Sequence, residues 1–313
     1  MDTCARAATK PWSEPPSTAD VLRQIRDARF SGPIHCVRCG SPRVQRWGSF
    51  SDRQRYRCRS CRRTFSDLTG TPAAYAKKLR LWPSFAGCFE RGLSVRASAA
   101  HVGIHPSTAF RWRHALARGL LQADREKLHG RTELSTYWFA ESRKGQRRLQ
   151  RTRRRRAVAC RFWYRGPQAC VFFACDREGH VVTQMLRERG AEEWDVALAG
   201  RFEGLPIIVG VEGFDGRPSL FACRIGAEFH NARPTGVPRA LAHVSTVTGY
   251  IWRFRHWMAR FRGVATKYLP NYLVWHRRVD EAHRHALTAT ALRWPIDVQL
   301  PTYCRPEPNC RGP

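Results

Sequence analysis

Two Cys-x-x-Cys pairs set the first constraint on this chain. Cys36-Val37-Arg38-Cys39 is followed, across residues 40–57, by Cys58-Arg59-Ser60-Cys61. A Cys-x-x-Cys turn directs its two sulfurs to one side, and two such turns at this separation suit a tetrahedral zinc ion, with Zn–S near about 2.3 Å. Between them Val44, Trp47, Phe50 and Tyr56 read as short strands under the metal. A module of this size has too little core to fold unaided, and structural zinc contributes roughly 10–16 kcal/mol. The expected cofactor is therefore structural Zn2+ on Cys36, Cys39, Cys58 and Cys61. The remaining cysteines of the 12 are scattered and read as ordinary thiols.

Charge narrows the function. Lys and Arg number 55 against 25 Asp and Glu, a formal net charge of +30. Such an excess strains the folded state by self-repulsion, which a polyanion relieves. Nucleic acid is the expected partner, as double-stranded DNA. With 42% hydrophobic residues over 313 positions, the chain has material for two or three small globular domains rather than a disordered tail. No apolar run reaches the roughly 18 residues of a membrane span, and the first 30 residues carry no apolar signal core. The expected location is the bacterial cytoplasm, at the nucleoid, where clustered cysteines bind metal rather than form disulfides.

The punctuation divides the chain into residues 1–31 (a leader and a short helix over Thr18 to Arg29), 32–70 (the zinc module), 71–128 (a helix-turn-helix region), 129–275 (a mixed α/β domain) and 276–313 (a basic tail). In the third segment Ser94 caps a helix through Val102, Gly103 supplies the turn, and Pro106 opens a second helix. A recognition helix enters the major groove N-terminal end first. Ser107, Thr108 and Arg111 are the expected groove contacts, with Arg113, His114 and Arg118 also facing outward. Five arginines between Arg55 and Arg63, with Arg62 and Arg63 at the module's exit, add a phosphate-binding face. Beyond Gly130 the sequence predicts a strand over Thr132 to Phe139 and a basic loop over Arg143 to Arg156. A hairpin of Gln168 to Cys175 with His180 to Met185 follows, then a helix at Ala191 to Ala199. Leu205 to Val211 reads as a buried strand. A helix at Pro218 to Ile225, a short strand at Ala227 to His230 and a long helix over His243 to Arg262 complete the domain.

Four stretches resemble one family. They are Gly130 to Gly145, with its Thr136-Tyr137 run and its Ser142-Arg143-Lys144-Gly145 turn; Arg55 to Pro72; Ser107 to Arg113; and Trp257 to Leu273. Together they are similar to the ISXO-like insertion-sequence transposases, DDE-type enzymes with a zinc ribbon in front. The resemblance spans roughly Cys36 to Trp275. It implies an α/β multidomain protein, with a Cys4 zinc ribbon, a helix-turn-helix and an RNase H-like domain. It also implies metal-dependent cleavage and transfer of DNA at the element's terminal repeats, with a possible homo-oligomer on that DNA. In such a fold two Mg2+ ions, about 3.5–4 Å apart, activate water and stabilise the leaving oxygen. The family supplies Asp, Asp, and Glu or Asn as ligands, with a lysine seven residues beyond the last.

The matching positions here hold Ser135, Glu212, Thr248 and, for the lysine, Arg255. Glu133 and Asp215 are nearby acids, but no Asp or Glu occurs between Phe229 and Val279. Mg2+ prefers hard, charged oxygens, so the substitutions weaken its binding. Two readings follow: an active transposase with displaced ligands, or a non-catalytic DNA-binding protein or repressor derived from a transposase. The missing acids favour the second.

Overall fold

The structure is a computed structural model that describes residues 16–30, 32–51, 53–124, 126–145, 167–186, 192–210, 218–232, 243–261 and 263–287. The chain divides into two units, residues 1–123 with 281–313, and residues 124–280.

The first unit begins with helix α1 (Thr18–Arg29), started by Ser17, whose Oγ accepts from the Asp20 N–H at 3.1 Å. A three-stranded antiparallel sheet follows, of β1 (Val44–Phe50), β2 (Arg53–Cys58) and β3 (Thr64–Ser66). Its core is small: Cys36, Val37, Tyr56, Cys58 and Phe65, flanked by Phe30, Ile34 and Val44. Helix α1 is tied to the end of this sheet through Asp67, which is 2% exposed. Arg26 donates to its carboxylate at 2.7 Å and Arg29 to its carbonyl at 2.6 Å.

Three helices complete the unit: α2 (Trp82–Glu90), α3 (Val95–Val102) and α4 (Pro106–Ala123). The α3–α4 turn is closed by Gly103 at φ +70°, a left-handed conformation that glycine adopts without steric cost. Helix α2 was absent from the sequence reading. Its signal was present, since Trp82, Phe85, Ala86 and Phe89 recur at helical spacing and all are buried. Trp112 of α4 packs edge-on against Trp82 and Phe85, with centroids 4.9 and 5.4 Å away.

The second unit is a five-stranded mixed sheet in the order β6-β5-β4-β7-β8. Its strands are β4 (Leu128–Ala140), β5 (Gln168–Asp176), β6 (Val181–Leu186), β7 (Phe202–Gly210) and β8 (Glu228–Asn231). Pairs β4–β5 and β5–β6 are antiparallel; β4–β7 and β7–β8 are parallel. Helices α5 (Glu192–Leu198) and α6 (Pro218–Ile225) cover one face through Trp194, Leu198 and Phe221, packed on Leu134, Phe172 and Ile208. Helices α7 (Ser245–Ala259) and α8 (Leu269–Leu287) cover the other through Val247, Tyr250, Phe254 and Leu273, packed on Val171 and Phe173. A sheet buried on both faces has no polar side to present, which is why β5 reads as an unbroken apolar run.

Several boundaries differ from the sequence reading; β7 begins at Phe202 rather than Leu205, and Leu205 is 71% exposed rather than buried. Strand β4 begins at Leu128 rather than Thr132, because a bulge at Gly130 (φ +52°) interrupts its pattern without ending its pairing with β7. Helix α8 runs on past Trp275, and its Arg277 donates to both oxygens of Asp124, at 2.8 and 3.1 Å. Arg201 adds a contact to the same carboxylate at 3.4 Å.

This cluster carries a stability prediction. The Asp124 and Arg277 side chains are 8% and 13% exposed, so removing one charge strands the other; Asp124→Asn is expected to cost about 3–5 kcal/mol in urea unfolding. Burial pushes the Asp124 carboxyl up, but Arg277 and Arg201 outweigh it and hold it below its ordinary 3.8. The native chain therefore keeps this stability above about pH 4 and loses it as pH falls through the lower folded value. The variant's stability should show less of that acid dependence.

Candidate functional site

The four knuckle sulfurs lie within 4.8 Å of one another. Cys36 Sγ is 3.6 Å from Cys61 Sγ, and Cys39 Sγ is 3.6 Å from Cys58 Sγ. A zinc tetrahedron with bonds near about 2.3 Å needs sulfurs roughly 3.8 Å apart, so this set could hold the ion. The Cys61 N–H points at Cys58 Sγ from 3.5 Å. With the Ser60 N–H it pulls the Cys58 thiol down to about 6, against the opposing effect of burial, and so favours the thiolate that binds metal. The two knuckles close alike: the residue after each second cysteine has positive φ, Gly40 at 71° and Arg62 at 58°.

Around the knuckles the arginines stand outward. Arg55, Arg59, Arg62 and Arg63 are exposed, and Arg57 stacks over the Trp47 ring at 4.5 Å. On α4, Ser107 and Arg111 are exposed and Thr108 is half-buried. His105, not anticipated as a cap, accepts from the Ser107 N–H through Nδ1 at 3.2 Å. Two expectations need correction. Arg113 is 2% exposed and donates to the Leu93 carbonyl at 2.6 Å, so it holds the helices together and does not face a groove. His114 is also buried, and burial, with Arg113 and Arg118 beside it, pushes it down to about 4. The reason is helical geometry: Arg113 follows Ala109 by one turn and precedes Leu116 and Ala117 by another, on the buried stripe. Phe110, on the same helix, is 38% exposed.

In the second unit, three of the positions singled out by sequence lie on β4 and α7. Ser135 sits on β4 opposite Phe173, half-buried. Thr248 lies in the first turn of α7, exposed, its hydroxyl donating back to the Val244 carbonyl at 2.7 Å. Arg255 is exposed, its guanidinium 4.9 Å over the Tyr137 ring. Glu212 and Asp215 lie outside the described residues, beyond the end of β7 at Gly210. There a Cβ would stand 2.6 Å from Pro218 Cβ, so only glycine fits that strand end.

Glu133 is the acid that the described residues do place against α7, and it is fully buried. Its Oε2 accepts the Val247 N–H at 2.9 Å, and its Oε1 faces Arg177 Nη2 at 3.1 Å and His243 Nδ1 at 3.5 Å. Oε2 is thus committed to the start of α7, while Oε1 has these two side chains as neighbours but no hydrogen-bond partner among the described residues. Among the described residues Ser135 and Thr248 bring only hydroxyls. Hard Mg2+ prefers charged oxygens, which these two hydroxyls do not supply.

Two of the sequence motifs meet in space. The Ser142 N–H donates to Thr266 Oγ1 and the Thr266 N–H to the Ser142 carbonyl, each at 2.8 Å. Lys144 Nζ reaches the Gly263 carbonyl at 3.2 Å. The turn Ser142 to Gly145 and the stretch Trp257 to Leu273 are therefore one structural device.

No family model matches the chain. An uncharacterized protein in transposable element ISH50 of Halobacterium salinarum is 27% identical over 267 residues, spanning 82% of this chain and 87% of that relative. Among solved structures, a chain of a pre-cleavage Mos1 transpososome is similar at 10% identity, covering 66% of this chain and 78% of that one. Its TM-score of 0.22 is too low to define a shared fold. No described helix is long and apolar enough to cross a membrane.

The corrected helix geometry separates two kinds of arginine. Arg113→Ala strips the Leu93 carbonyl of its buried donor and is expected to destabilise the first unit by about 1–3 kcal/mol. Arg111→Ala, at an exposed position, should stay within about 0.5 kcal/mol. Thermal unfolding of the two variants checks this. Cys58→Ser should lose bound zinc and the folded ribbon while leaving the second unit's circular dichroism intact.

Proposed function

We propose that this chain is a protein of transposase lineage that binds duplex DNA through its first unit and does not cut it. In this reading residues 32–70 form a zinc ribbon, 71–128 a helix-turn-helix region and 129–275 an RNase H-like domain. One observation carries it: the sheet order β6-β5-β4-β7-β8, with β4 and β7 parallel and α7 laid across β4 at Glu133. In an RNase H-like fold such a topology would bring a first-strand position, a strand end and a last-helix position to one corner, and the strand order supports that reading. The relative's place in a transposable element supports the lineage, as does the pairing of the Ser142 turn with the Thr266 segment.

The binding half rests on charge. The net +30 and the exposed arginines at 55, 59, 62, 63 and 111 suit a phosphate-lined groove, with Ser107, Thr108 and Arg111 at the bases. Oligomerisation on paired element ends belongs to the same reading. The non-catalytic half rests on the donors: a catalytic metal must be fixed against the scissile phosphate, and Ser135 and Thr248 offer no charge to fix it.

If some 6–10 phosphates are contacted, affinity for element-end duplexes should fall about 10³–10⁵-fold between 50 and 200 mM salt. A flat salt response would count against DNA binding. With Mg2+ or Mn2+ the native chain should leave those ends uncut. The combined change Ser135→Asp, Glu212→Asp and Thr248→Asn should yield metal-dependent strand cleavage. Cleavage by the unmodified chain would instead establish the displaced-ligand enzyme.

A further inference from the structure

A second group of metal-binding side chains lies toward the N-terminal end of β4, away from Ser135. His129, on β4, and Glu178 and His180, in the turn between β5 and β6, each offer a ligand atom within 4.8 Å of the others. The two imidazole centroids are 4.9 Å apart, and the rings are 32% and 37% exposed, open enough for an ion to enter.

What sets this group apart from a chance cluster is its backing. Asp176 is fully buried, and its Oδ2 lies 2.8 Å from His180 Nδ1. The same carboxylate accepts the N–H groups of Gly179, His180 and His129, at 2.7, 2.8 and 3.1 Å. One buried acid thus fixes the turn that carries Glu178 and His180 against the strand that carries His129. Glu203 Oε2, on β7, stands 3.5 Å from His129 Nδ1. A carboxylate at Nδ1 holds an imidazole in the tautomer whose Nε2 lone pair is available, the support that metal-bound histidines usually have. Three acids around two imidazoles are also an unexpected concentration in a chain with 55 basic and 25 acidic residues.

We propose that His129, His180 and Glu178 bind one divalent transition-metal ion of the zinc type, separate from the four-cysteine site. Two imidazoles and a carboxylate are ligands that zinc takes, with water filling the fourth position. Bonds near 2.0–2.1 Å call for ligand atoms roughly 3.3–3.5 Å apart, and the Glu178 side chain, 67% exposed, is free to swing in. The ion would fasten the β5–β6 turn to β4, and so stabilise the second unit by mass action.

The test is a calorimetric titration of the full-length protein, already carrying one zinc per chain, with further Zn2+. The expected result is one more equivalent, with a rise in the unfolding temperature of the second unit. His129→Gln and His180→Gln should each weaken that second equivalent about tenfold or more. Circular dichroism and the unfolding temperature without added metal verify that each variant is folded. With Co2+ in place of the added zinc, the second equivalent should show weak visible bands and no sulfur-to-metal charge transfer. Saturation at a single zinc per native chain, leaving an imidazole–carboxylate cluster only, would overturn the proposal. So would a folded His129→Gln protein that takes the second equivalent as tightly as the native chain.

Discussion

The second unit depends on one buried carboxylate. Glu133 has no exposure, and a buried carboxylate needs partners. Its Oε2 accepts the Val247 N–H, and Arg177 and His243 stand beside Oε1 without a hydrogen bond to it. The N-terminus of a helix is also where a negative charge is most favourable. A single side chain of β4 therefore sets where α7 begins. The apolar contacts of Val247, Tyr250 and Phe254 with Val171 and Phe173 then follow from helical spacing.

The first unit is organised differently. Its sheet has a core of a few residues, and a metal ion on its four cysteines would take the place of apolar area. The left-handed turn at Arg62 fits that logic. A side chain there costs about 1–2 kcal/mol relative to the right-handed form, and Gly40 avoids this at the matching position of the other knuckle. The arginine is kept where its guanidinium stands at the surface beside Arg63, so a local cost accompanies a cationic site.

What could be read from the sequence was whatever is written in neighbouring residues. The knuckles, the Ser94 cap and the Gly103 turn are local patterns, and they appear where their spacing puts them. The inward turn of Arg113 was also legible, since its place between Ala109 and Leu116 fixes its face, but its charge suggested solvent. Helix α2 was overlooked because it is short and lacks a polar side-chain cap. The contacts that decide the candidate site were not legible. Glu133 and Val247 are 114 positions apart, and Asp124 and Arg277 are 153 apart. No local periodicity encodes such a meeting; it exists only once the sheet has formed.

The link between Asp124 and Arg277 joins the first residue of the second unit to its last helix. This makes the reading frame's integrity near its end matter more to folding than the identity of the residues at the candidate centre. Ser135 lies within the unbroken pairing of β4 with β5. A premature stop codon ahead of position 273 would leave Asp124 buried without its main counter-charge and uncover Val171 and Phe173, where Leu273 packs. A missense change at a half-buried strand position would thus spare the fold, whereas one nonsense change late in the frame would remove the protein altogether.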